Sequence, residues 1–166
     1  MKKGIFTLLA ILVMTLSALM PGASIAEPDQ AFIDSYNDYA YATGAGQLDI
    51  ATMTTASNNP NMFIFQLGEY NVAFEMFSGK TVKNGYVFTG SNSCTVDFLC
   101  GCMAMVSFLG EIDIHSYGML MSQFSALYAG HDSTPGTIGQ DAFQIILDDN
   151  MGYLLVYMNN DLIVNN

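Results

Sequence analysis

Val96-Asp97-Phe98-Leu99-Cys100-Gly101-Cys102-Met103-Ala104-Met105-Val106-Ser107-Phe108-Leu109 is the stretch on which the reading of the fold turns. It is apolar on nearly every side of a helix, and a helix without a polar face is normally buried among other elements. Its 14 residues, with Asp97 at one end, fall short of the roughly 20 apolar residues that cross a bilayer. It therefore reads as a central core helix. Ser91, Asn92 or Ser93 is available as its cap, Asp97 lies favourably at the positive end of the helix dipole, and Gly110 follows its last turn.

Upstream of this helix the texture is β. Met62 to Leu67, Val72 to Phe77 and Tyr86 to Thr89 are short runs rich in aromatic and β-branched residues, separated by Gly68, Ser78-Gly79 and Asn84-Gly85. Alternation in the second run places Val72, Phe74 and Met76 on one face and Ala73, Glu75 and Phe77 on the other, with one face expected to be buried. Asn58-Asn59-Pro60 reads as a turn, and Gln47 to Asn59 is ambiguous, its Thr-rich centre suiting a strand while Leu48 and Ala51 suit a short helix. Before it, Glu27-Pro28-Asp29 opens a helix on which Phe32, Ile33, Tyr36, Tyr39 and Ala40 recur at helical spacing until Gly44 and Gly46.

Downstream, Tyr117, Leu120, Met121, Phe124, Leu127 and Tyr128 form the stripe of an amphipathic helix that Gly130 stops. The tail returns to strands over Ala142 to Leu147, Met151 to Tyr157 and Leu162 to Val164, with turns at Asp148-Asp149-Asn150 and Asn159-Asn160. These elements predict an α+β fold: antiparallel meanders, in one continuous sheet or two β groups, packed against three helices. Both halves run helix then meander, the outline of a duplicated α-β-β-β unit, although no residue-level repeat accompanies it.

The amino terminus carries an address. Met1-Lys2-Lys3, the apolar run Gly4 to Leu19, and Ala23-Ser24-Ile25-Ala26 after Pro21-Gly22 follow the plan of a bacterial-type secretory signal cleaved near Ala26. Residues 1–26 are thus expected to be removed, leaving 27–166 as a single acidic domain, secreted or otherwise extracytoplasmic, with no stable membrane anchor. Lys2 and Lys3 leave with the signal, so Lys80 and Lys83 face all 15 acids, a net charge of −13. Such a surface repels phosphate backbones, which argues against nucleic-acid partners, and it lacks the arginine forks that clamp anionic substrates.

Few residues carry reactive chemistry. Cys100 and Cys102, with Met103 and Met105, are soft ligands of the kind Cu(I) prefers, but residues two apart on a helix point about 200° away from each other. In an oxidising compartment, Cys94 and Cys100 are the candidate disulfide, provided Cys94 lies outside the helix. A thiol nucleophile would need a histidine base, and His115 is a possible partner for Cys94, with Asp97 or Asp113 to orient it, although no protease-like surround flanks the cysteines. In an extended Glu111-Ile112-Asp113-Ile114-His115, two carboxylates and an imidazole would share one face and could hold a divalent ion, unless Asp113 instead caps the following helix. With no tryptophan, stacking platforms for a sugar would fall to Tyr36, Tyr39, Tyr41, Tyr70 or Tyr86.

This poverty of polar constellations favours a non-catalytic module that binds a protein or peptide through its sheet face or an exposed strand edge. The alternative is a divalent-metal-binding protein or metal-dependent hydrolase using Glu111, Asp113 and His115. No particular cofactor is implied.

Overall fold

The computed structural model describes residues 27–77, 81–110 and 114–160, without the side chains of Ile114 and His115. The expected signal at 1–26, the turn at Ser78-Gly79 and the expected strand Leu162 to Val164 lie outside the described residues.

Helix α1 (Gln30–Thr43) starts where Asp29, in extended backbone, accepts the amide N–H of Phe32, and it ends at Gly44, whose left-handed φ of 73° suits a residue without Cβ. A short 3-10 turn (Ile50–Thr52) and the three-residue strand β1 (Thr54–Ala56) occupy the ambiguous stretch. Strands β2 (Asn59–Leu67), β3 (Tyr70–Met76) and β4 (Val82–Phe88) form the first meander, and Asn84-Gly85, expected as a turn, lies inside β4 opposite Glu75 and Phe74. The turn expected at Asn58-Asn59-Pro60 falls slightly earlier, because Asn59 and Pro60 already belong to β2. Pro60 is tolerated as the second residue of that strand, at the start of the ladder, where a missing N–H does least harm.

Helix α2 (Val96–Leu109) is the core helix, with Phe98, Gly101, Cys102, Ala104, Met105, Val106 and Ser107 buried. Its cap is Thr95, whose hydroxyl accepts the N–H of Phe98, rather than Ser91, Asn92 or Ser93. Of these, Ser91 is drawn towards the sheet by its bridge to Gly152, and the preceding Thr89 and Gly90 donate to Tyr153 and Met151. Helix α3 (Ile114–Tyr128) is followed by β5 (Gly136–Ile138), β6 (Asp141–Asp148) and β7 (Gly152–Met158).

All seven strands join one antiparallel sheet in the order β1-β2-β3-β4-β7-β6-β5. The two meanders meet along β4 and β7, from Asn84 opposite Met158 to Phe88 opposite Leu154. The helices cover one face, where Ile33, Tyr36, Phe98, Met105 and Leu120 pack against Phe63, Phe74, Val87, Phe143, Ile145 and Tyr157. Edge-to-face contacts of Phe74 with Phe32, Tyr36 and Phe108 knit α1 and α2 to β3.

The other face of the sheet is apolar as well, contrary to the expectation of one buried face. Met62, Ala73, Tyr86 and Leu154 form a second buried cluster, joined by Ile64, Phe88, Ile146 and Val156, and none of the three described helices contributes to it. No described helix is long and apolar enough to cross a membrane.

Candidate functional site

Of the residues singled out for metal binding, Glu111 and Asp113 lie outside the described residues, while His115 belongs to the first turn of α3. Among the described residues, no three His, Cys, Asp or Glu side chains come together to hold an ion. Elemental analysis of the wild type and of a chain lacking Glu111, Asp113 and His115 is the direct test of that assignment.

Cys94 stands one residue before the Thr95 cap, outside the helix, and the thiols of Cys94, Cys100 and Cys102 are free in this structure. A thiol count on denatured, unreduced protein decides the Cys94 to Cys100 pairing: one thiol with the bridge, three without. Burial pushes the Cys94 thiol up to about 11, the reverse of the lowered value a nucleophilic cysteine needs. Cys102 is fully buried and raised further by the same cause. Among the suggested sugar platforms, Tyr36, Tyr70 and Tyr86 are buried and unavailable for stacking, whereas Tyr41 is exposed.

Two polar features were not anticipated. On the helix-free face Glu75 is only 1% exposed. It accepts from Asn84 Nδ2 at 2.6 Å, from Asn59 Nδ2 and the Tyr86 hydroxyl at 3.4 Å, and pairs with Lys83 Nζ at 3.4 Å. Burial and the neighbouring Glu75 charge raise the Tyr86 phenol well above its usual range. This is a carboxylate held by donors on adjacent strands. The second feature is a polar groove of about 350 Å³ between the β2–β3 turn and the start of α2, lined by residues including Gln66, Glu69, Asn71, Thr89, Ser93 and Thr95. Thr89 and Thr95 are already engaged, by Tyr153 N–H and Phe98 N–H respectively. The groove can offer hydrogen bonds, but its lining contains no nucleophile and base pair.

The best-built candidate is the outer edge of β6. Strand β5 is only three residues long and pairs Asp141, Ala142 and Phe143, leaving the rest of β6 without a strand neighbour on that side. Two buried side chains take the place of one. Gln123 of α3 donates from Nε2 to Phe143 O at 3.3 Å and accepts Ile145 N–H on Oε1 at 2.9 Å, while the Ser133 hydroxyl donates to Ile145 O. Gln144 braces the Ser133 loop by donating to its backbone oxygen at 2.8 Å.

Two residues further, Leu147 points its N–H and C=O outward as Ile145 does, past the reach of β5, Gln123 and Ser133. Its side chain is 53% exposed and lies opposite Tyr153. Tyr153 continues a row of rings: Phe98 and Phe124 lie 6.2 Å from it, and Tyr128, 81% exposed, lies 6.3 Å from Phe124. The arrangement combines an open main-chain pair, an apolar shelf and aromatic anchors. Only the aromatic stripe of α3 was legible beforehand, since Gln123 carries no local mark of its role.

Comparison with known proteins identifies no relative: no family model, no curated protein and no solved structure matches this chain.

Proposed function

We propose that the processed chain is an exported, non-catalytic module that binds a protein or peptide, and that the β6 edge is its docking site. The observation that carries this reading is the exposure of Leu147 and Tyr128 beside an unpaired stretch of strand. Strand edges accept extended segments through main-chain hydrogen bonds, while neighbouring pockets select side chains. The raised Cys94 thiol supports the non-catalytic half of the reading, because a protonated thiol at neutral pH is a poor nucleophile.

Selection of displayed random peptides against the processed chain tests the proposal. Selected peptides should lose binding on Leu147→Asp and on Tyr128→Ala, each by about tenfold or more, as expected when an anchoring contact is removed. Cys94→Ala and His115→Ala should leave their binding unchanged. A hydrolase turnover abolished by Cys94→Ala or His115→Ala would overturn the reading.

A further inference from the structure

Resting on the peptide-binding role of the same edge, we infer that Gln123 and Ser133 are a displaceable stand-in for a missing strand, and that the segment replacing them is extended and flanked by lysine or arginine. A carboxamide holds an N–H donor and a C=O acceptor in one plane, as a peptide group does, with a second N–H besides. Gln123 uses both, on Phe143 O and Ile145 N, and is 3% exposed. Ser133 satisfies the Ile145 carbonyl from a loop, not from an element of the sheet. Phe143 already faces Gly136 of β5, so the groups on Ile145 are the outward ones that an added strand would bind, and an open sheet edge is otherwise a liability for uncontrolled association.

Replacement of the stand-in exchanges side-chain hydrogen bonds for main-chain ones, so the number of bonds made by the Ile145 N–H and C=O is conserved. The surplus comes from Leu147, whose outward N–H and C=O gain a partner, and from apolar contact with the Leu147 and Tyr128 side chains. The charge of the occupant follows from the acids that flank Ile145 and Leu147. Asp148 and Asp149 directly follow Leu147, and Asp132 directly precedes Ser133. Lys83 is the single lysine or arginine among the described residues, and it is committed to Glu75 on the helix-free face. An extended segment flanked by cations meets this field favourably, and one flanked by acids is repelled.

The test uses the processed, isotope-labelled chain and three synthetic peptides followed by NMR. The first alternates valine and threonine between paired lysines, the second carries glutamates in place of the lysines, and the third is the first with alternate backbone nitrogens methylated. The lysine peptide should shift the amides of Ile145 and Leu147 and slow the hydrogen exchange of Leu147. The glutamate peptide should bind at least about tenfold more weakly at low salt, a gap that closes as salt screens exposed charges. Methylation, which removes main-chain donors, should abolish binding.

Gln123→Ala should melt lower yet bind the lysine peptide about tenfold more tightly, because the stand-in's hydrogen bonds no longer compete. A purely structural glutamine would lower melting without tightening binding. Binding indifferent to methylation and to Gln123→Ala would overturn strand addition and leave a binding module that uses another surface. Peptides selected by display that bind elsewhere, with the lysine peptide inert, would do the same. Failure of every peptide, designed and selected, would overturn both.

Discussion

Gly101 sits in the middle of α2, where helix propensity alone says that Gly101→Ala should stabilise the chain by about 1 kcal/mol. The structure reverses the sign. A Cβ at position 101 would stand 2.6 Å from Tyr70 Cε2 and 3.2 Å from Tyr70 Cζ. Tyr70 is itself 2% exposed, so its ring has no free volume into which to retreat. Overpacking of this kind costs about 1–3 kcal/mol. Displacing the ring also pulls the Tyr70 hydroxyl from the Gly46 N–H, which it accepts at 2.9 Å, a loss of about 1 kcal/mol for a partly solvated donor.

The balance is a net destabilisation of about 2 kcal/mol, which for a domain of this size lowers the melting temperature by roughly 6–8 °C. Urea unfolding of wild type, Gly101→Ala, Tyr70→Phe and the Gly101→Ala/Tyr70→Leu double variant measures it. Tyr70→Phe isolates the hydrogen bond. The double variant should cost less than the sum of its single changes, because the smaller side chain makes room for the methyl. A Gly101→Ala protein as stable as wild type, or more so, would overturn the argument that α2 is seated on Tyr70 through this glycine.

Other perturbations give equally direct readings. The Tyr36 hydroxyl is buried with no hydrogen-bond partner, so Tyr36→Phe should raise stability by up to about 1 kcal/mol in urea unfolding; a loss of that size would mean that the hydroxyl is satisfied. Glu75→Ala should cost about 3 kcal/mol, since it strands buried donors gathered around one charge; a cost under about 0.5 kcal/mol would show that the network contributes only what a surface pair does. Cys94 has a folded-state value of about 11 against an ordinary 9.0, so above pH 9.0 the unfolded chain releases its proton first. Stability should therefore fall from pH 9.0 towards about 11, and native Cys94 should resist alkylation at neutral pH and react as the pH climbs through that window. Rapid alkylation of native Cys94 at neutral pH would contradict its burial.

Much of the architecture was legible because it is written in local patterns. The apolar sweep of 96–109, the aromatic spacing before Gly44 and the alternation around Phe74 each reflect one element's own period, and the structure holds helices and strands at those places. Strand β5 was not legible, and β1 only as one of two readings of the Thr-rich stretch after Gln47, because three residues are too few to display alternation. The cap of α2 was misplaced among Ser91, Asn92 and Ser93 because contacts with Met151, Gly152 and Tyr153, distant in the chain, hold that loop to the sheet. Alternation placed Glu75 on a face with Ala73 and Phe77 and no more; its hydrogen-bond partners Asn59, Asn84 and Tyr86 arrive from neighbouring strands.

The order of residues by itself determined the element types, the acidic balance and the scarcity of reactive groups, since periodicity, composition and charge need no partner to be read. Tertiary structure alone decided which strands meet, most of all the joining of β4 to β7 into one sheet. It also decided that a glutamine on α3 would lie along the open edge of β6 and that a glycine on α2 would seat Tyr70. The physical reason is range. Hydrogen-bond ladders and packed rings are chosen by the fit of the whole assembly, between residues whose separation along the chain leaves no local trace.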